Sequence, residues 1–300
     1  MENKRIKGSI RLLITALVWG VAFVFQRTGM DHITPLTFMA SRCVLASISL
    51  AIVLLIIRGP SKAFKFSKTT LRGGILCGIF MTVANNFQQV GMVSTTAGKA
   101  GFITAMYILL VPLGNFIIFK EKPPRVSILA VLLGAVGLFL LCVNEEFTIV
   151  PGDLWVMACS LMFTGHIICT DRFAEKADCV QMSFIQFVVC VVLGWIIAFI
   201  FEEPSWSGIR EAWVSIAYCG IISAGLGYTL QILGQKYTEP ATASLLMSFE
   251  SVFAALSGAV LLHETMSGRE AAGCVIMFVA ILIVELWQFV PARKKEKKNG

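Results

Sequence analysis

Charge is scarce in this sequence: charged residues make up 14% of the 300, where a soluble domain carries about 25%. Sequence punctuation for enzyme chemistry is missing too. No Walker A, GxSxG or dinucleotide fingerprint is present, so nothing supports ATP-driven work by this chain alone. His32, His166 and His263 lie in three separate segments without HExxH spacing. No two of the nine cysteines stand in CxxC spacing, and all but Cys179 lie inside apolar runs, which points to neither a zinc site nor a disulfide framework. No cofactor is expected. Long polar connections are also lacking; the longest, around Arg58 to Arg72, is too short to hold a domain.

What fills the chain is apolar surface. Hydrophobic residues reach 57% before the 25 glycines are counted, against roughly 45–50% with glycine included in a soluble domain. A soluble fold of this size must cover itself with polar groups, so the composition argues against an aqueous enzyme. The net charge of +7 would suit nucleic acid only if it clustered on a folded polar face, and no nucleic-acid partner is expected. It belongs instead to the flanks of membrane spans.

A spanning helix needs about 20 mostly apolar residues. Breaking the sequence at its charge clusters and prolines gives ten such segments, 10–28, 34–57, 73–93, 96–119, 126–143, 153–170, 180–201, 212–235, 240–262 and 271–289. The expected fold is an all-α integral membrane protein of ten transmembrane helices. Residues 1–13, MENKRIKGSIRLL, resemble a signal-peptide n-region but no small-residue cleavage site follows, so they read as the start of an uncleaved span. With that end in the cytoplasm, only Arg27, Lys99, Arg210 and Arg269 of the 25 basic residues fall outside and Arg42 falls within a span. The positive-inside rule thus predicts a multi-pass protein of the cell (inner) membrane with both termini cytoplasmic.

The sequence also repeats. A shift of 143 residues brings Gln88 onto Gln231, Gly91 onto Gly234, Thr95 onto Thr238, Ala100 onto Ala243, Leu113 onto Leu256 and Glu121 onto Glu264. Slipping by one, CGI at 77–79 meets CGI at 219–221. The expected halves are residues 1–145 and residues 146–300, the second ending in a basic cytoplasmic tail. Five spans in each half means that the second enters the membrane inverted, an arrangement that lets two halves rock about a shared central site.

Four stretches carry a family likeness: WGVAFVFQ with Trp19 and Gly20, SRCVLASISL with Arg42, TTAGKAGFITAMYILLVPL across the fourth span, and SLLMSFESVFAALSGAVLLHE across the ninth. In that order, over essentially the whole chain, they resemble the paired EamA domains of the drug/metabolite transporter superfamily. The resemblance implies a ten-helix inverted-repeat permease, usually an exporter of a small metabolite such as an amino acid. It says little about which one.

An ionisable residue inside a bilayer costs about 2.5–3.5 kcal/mol on insertion scales and marks a functional position by default. Glu250 lies near the middle of the ninth span, with Leu246, Met247, Phe253, Ala254 and Ser257 as helical neighbours. It is the candidate for substrate binding and proton coupling; the alternative is a protonated acid bonded to a neighbouring helix. Arg42 stands about two turns inside the second span, where it could clamp a substrate carboxylate, pair with an acid or snorkel outwards. Lys99, in the first turn of the fourth span, could help an anion dock at the helix N-terminus or simply reach water.

Asn85, Gln88, Gln89 and Met92 recur at helical spacing in the third span, and Ser223, Gly227, Gln231 and Gln235 repeat the pattern in the eighth. Such amides line a pore or fasten helices together. Trp19, Tyr107 and Tyr228 could form an aromatic wall or ordinary packing. Pro112 frees a carbonyl one turn earlier and is the hinge candidate. His166 fits packing better than a proton relay, and Glu285 lies near the cytoplasmic end of the last span. The small pair Ala254 and Gly258 could pack helices within one chain or in a homodimer.

These features predict a secondary active transporter with a small-molecule substrate, set in a lipid bilayer and not an enzyme. A membrane-embedded enzyme acting on a lipid-borne substrate, or a receptor or assembly protein without flux, is the alternative.

Overall fold

The computed structural model describes residues 2–120, 125–142, 149–174, 176–235 and 240–287. All regular structure among them is helical. The helices are α1 (Glu2–Gly29), α2 (Pro35–Arg58), α3 (Lys68–Gly91), α4 (Ala97–Ala105), α5 (Tyr107–Phe119), α6 (Arg125–Cys142) and α7 (Pro151–Ala174), then α8 (Cys179–Phe201), α9 (Trp206–Glu211) and α10 (Trp213–Ala217). A π-helical segment, Tyr218–Gly227, leads into α11 (Tyr228–Gln235), and α12 (Pro240–Leu261) and α13 (Gly268–Trp287) complete the bundle.

Polarity is distributed inside out. Ile56, Phe201 and Val260 point outwards, while Gln26, Arg42, Asn85, Gln88, Gln89, Asp153, His166 and Gln186 are buried. A protein in water would reverse this, since exposed apolar surface needs an apolar surrounding. Five helices are long and apolar enough to cross a membrane, six if the bent pair Ala97–Val111 and Leu113–Phe119 is one span. Ile128–Leu141 and Phe249–Leu261 are shorter apolar helices. The result is a multi-pass helical membrane protein whose helices fall on the segments expected from sequence, with fewer of them meeting the spanning criterion than ten. The buried amides of α3 explain why that helix is not among those that do.

Small residues set the closest crossings. A methyl group on Gly20 would come within 2.9 Å of the Glu250 carbonyl oxygen and 2.8 Å of the Ala254 nitrogen, so α1 lies directly on α12. The pair Ala254 and Gly258 packs inside the chain: a Cβ on Gly101 would strike Ala254, and one on Gly258 would strike the Glu264 carboxylate. Without a hydrophobic driving force between helices in lipid, such backbone approach supplies the packing.

Polar contacts tie the bundle at its two ends. At one end the Glu202 carboxylate receives the backbone N–H of Leu36 at 3.0 Å and of Thr37 at 2.8 Å, closing the N-terminus of α2. At the other, Arg58 pairs with Asp178, and Gln181 Nε2 donates to the Ala63 carbonyl at 3.0 Å.

Candidate functional site

Between those ends, side chains far apart in sequence converge on Tyr228. Its ring lies 5.1 Å from that of Trp19 and meets Phe187 edge-on at 5.3 Å. Arg42, from α2, and Glu250, from α12, both lie within electrostatic reach of it. Glu250 also acts on Cys159 of α7, which sits beside Thr104 of α4, and the Thr104 hydroxyl receives Gln88 Nε2 at 3.0 Å. Opposite formal charges from the two halves of the chain thus share one aromatic centre in an apolar bundle.

Arg42 is only 7% exposed, yet its Nε and NH1 find no hydrogen-bond partner among the described residues. A buried donor left unmade costs about 1–3 kcal/mol, more when charged. The guanidinium thus keeps donors to spare beside its contact with the Cys219 thiol, and a planar fork of this kind suits a carboxylate or phosphate. Glu250 is half-buried on α12.

The π-helical segment places Tyr228. Its wider turn leaves the Ser223 carbonyl to accept Trp19 Nε1 at 3.0 Å, while the Tyr228 N–H donates to Ala224 and Gly225. π-turns inside α-helices are rare and gather at functional sites. They also alter the stripe expected from Ser223, Gly227, Gln231 and Gln235: four-residue spacing keeps one face only in an α-helix. Gln231, one turn beyond Tyr228, is half-buried; the Gln235 side chain lies outside the described residues, as do Glu121 and the side chain of Glu285.

Several expected site residues sit elsewhere or have partners. Gln89 is fully buried and donates to the Gln26 carbonyl at 3.1 Å, fastening α3 to α1. Gln88 reaches α4 through Thr104, and Asn85 is buried on the same helix. The Tyr107 ring lies 6.3 Å from that of Phe163, which neighbours His166. His166 Nε2 is 3.1 Å from Gln186 Oε1, as packing requires. The fourth span bends by 41° between Val111 and Leu113, at Pro112.

Lys99 stands apart from Tyr228, near the bundle end where Glu202 closes α2. Its ammonium lies 3.1 Å from Glu270 and 3.6 Å from the fully buried Asp153, and Asp153 accepts from Thr95. The anionic group at the N-terminus of α4 is the chain's own Glu264, which takes the N–H of Ala97 at 2.8 Å and of Gly98 at 3.2 Å. Sequence reasoning singled out neither Asp153, Glu202, Thr104 nor Cys159. Glu264 carried a signal only as the repeat mate of Glu121.

A polytopic helical membrane bundle with a charged, aromatic centre reached from both halves defines the class: a membrane protein built around an internal polar site. Its sequence matches the EamA-like transporter family over residues 6–143 and again over 150–286, and the chain belongs to that family. It is similar to an uncharacterized transporter of Archaeoglobus fulgidus, 27% identical over 94% of this chain and 87% of the relative. It is also similar to a Salmonella typhimurium protein named a probable amino-acid metabolite efflux pump, 23% identical over 92% of this chain and 94% of that one. A solved crystal structure shares the fold, with a TM-score of 0.66 at 18% identity, covering 94% of this chain and 98% of the other.

Proposed function

We propose that this chain is a secondary active transporter that exports a small polar metabolite, such as an amino acid, by alternating access to a site around Tyr228. The observation that carries the reading is a juxtaposition: Arg42, buried with its Nε and NH1 unmatched among the described residues, and half-buried Glu250 come from opposite halves of the chain, each within electrostatic reach of Tyr228. A zwitterion matches both: its carboxylate replaces the acceptor that Arg42 lacks, and its ammonium meets Glu250. Trp19 and Tyr228 supply the aromatic surface between them. The family agrees with transport and the name of the Salmonella relative with export, and no further partner or cofactor enters the reading.

The two halves, residues 1–145 and 146–300, act as inverted repeats of five spans, ten in all, rocking about this site. Pro112 marks the place where the fourth span changes direction. The basic residues set the membrane orientation, with Arg58, Lys62, Lys65 and Lys68 at the cytoplasmic end of the inner membrane. The Glu264 end is then outside.

Flux of labelled amino acids in proteoliposomes tests the proposal. Glu250→Gln keeps volume and hydrogen bonding but cannot titrate, so it loses flux driven by a pH gradient while retaining exchange. Arg42→Lys removes the planar fork and weakens carboxylate-bearing substrates by at least about tenfold, the value of one charge-assisted hydrogen bond. Parent-like pH-driven flux in Glu250→Gln removes the coupling role, and parent-like apparent affinity in Arg42→Lys removes the carboxylate clamp.

A further inference from the structure

The end of α12 is built to aim one side chain. Leu262 N and Glu264 N both return to the Gly258 carbonyl, at 3.0 and 3.1 Å, and His263 takes the left-handed conformation, φ 54°. That reversal points the Glu264 carboxylate back past Gly258, where a side chain would block it, onto the first turn of α4. Both carboxylate oxygens are used, one on Ala97 N and one on Gly98 N. These are first-turn amides with no intrahelical partner, at the positive end of the helix. Thr96 caps the same turn by accepting from Lys99 N at 3.2 Å, so this N-terminus is fully engaged.

The contact crosses between the halves of the chain, and its neighbours do as well. Lys99 reaches Asp153 and Glu270, Thr95 reaches Asp153, and Glu202 holds the start of α2. At this end acidic groups of the second half grip backbone and side chains of the first. Farther along the same span the relationship changes: α4 packs chiefly along α12, whereas α5, within which the span bends, packs against α7 and α6.

We propose that Glu264 is the latch of the outer gate: its carboxylate holds α4 to α12 in the closed state and must leave the α4 N-terminus before the Tyr228 site opens outwards. The inference rests on the transport reading for its purpose and on the charge bias for the word outer. The latch itself is a change in the distance between α4 and α12. A carboxylate suits this task because it leaves for water, where it is well solvated, and the freed amides are then hydrated as the gate parts.

The test uses full-length protein in liposomes with the nine native cysteines replaced and spin labels at Val93→Cys and Thr265→Cys, exposed positions on the two facing turns. Pulsed electron–electron resonance reads the distance distribution without requiring a substrate. The labelled parent gives mainly the short distance. Adding Glu264→Ala raises the ratio of long to short by about tenfold, the weight of one helix cap, and Glu264→Asp, which keeps the charge on a shorter stem, falls between. An unchanged distribution in a Glu264→Ala protein that elutes and melts as a folded species overturns the latch. If that variant does not fold, an unchanged distribution in Glu264→Asp and Glu264→Gln does so. A shifted distribution with no flux of any amino acid leaves the latch standing and removes the transport assignment instead.

Discussion

Lys120 and His263 share a backbone conformation that no other described non-glycine residue adopts: φ is 62° at Lys120 and 54° at His263. The 143-residue register places one on the other. Each closes an apolar helix with a left-handed turn, Lys120 N returning to the Phe116 carbonyl at 2.9 Å, and each is followed by a glutamate. A left-handed turn costs a non-glycine residue roughly 1–2 kcal/mol, so its recurrence at register-related positions supports the 143-residue repeat independently of residue identities.

That relationship gives a prediction for Glu121, which lies outside the described residues and is placed by the register alone. If the halves are inverted, Glu121→Ala relieves the opposite, cytoplasmic gate. Its effect on the Val93–Thr265 distance is the reverse of Glu264→Ala, a higher share of the short distance. A shift in the same direction for both variants contradicts the inverted pairing.

The orientation is testable with thiols at two exposed positions, Lys65 and Ser207. A membrane-impermeant maleimide applied to intact cells should label Ser207→Cys and spare Lys65→Cys until the membrane is opened. Labelling of Lys65→Cys from outside reverses the topology and exchanges the two gates.

Gly20→Ala should destabilise the protein by about 1–3 kcal/mol, the usual cost of an extra methyl in a packed crossing, because its Cβ meets Glu250 and Ala254 backbone atoms that cannot yield. Gly268→Ala, where a Cβ would meet nothing within 4 Å, is the matched control. Thermal unfolding in detergent should show a lower midpoint for the first and little change for the second; equal midpoints would mean that α1 does not rest on α12 as described.

Acid should loosen the Glu264 end. Burial pushes the Glu270 carboxyl up, but the Ser267 N–H, at 2.9 Å, and the Lys99 ammonium pull it down further, so it lies below its usual value of 4.5. A carboxylate with a depressed pKa contributes its full stabilisation above the ordinary value and loses it as pH falls through the depressed one. The parent should therefore lose thermal stability between about pH 5 and pH 3 more steeply than Glu270→Gln, which has no such titration to lose. Parallel pH profiles for the two proteins would show that the pair adds nothing.

Hydropathy and charge are local properties, and the sequence alone determined what depends on them. The apolar runs end where Arg58, Lys120 and Arg172 begin, so most helix limits followed within a few residues, although α1 and α3 start eight and five residues earlier, on charged turns that hydropathy excludes; the 143-residue register was visible because Glu121 and Glu264 close matching spans. Trp19, Arg42 and Glu250 stood out because polar or aromatic groups in apolar segments are costly or conspicuous wherever the helices pack. The partners of those residues were not legible. Whether Lys99 meets a substrate or the buried Asp153, whether Gln89 faces a cavity or the Gln26 carbonyl, and whether Tyr107 packs on Phe163 depend on how each helix is rotated against neighbours more than 50 residues away. The π turn before Tyr228 had the same origin. Tertiary packing decided these matters because, in a membrane, hydrophobicity sorts segments into the bilayer but does not choose between apolar faces; close backbone approach and the satisfaction of buried polar groups make that choice.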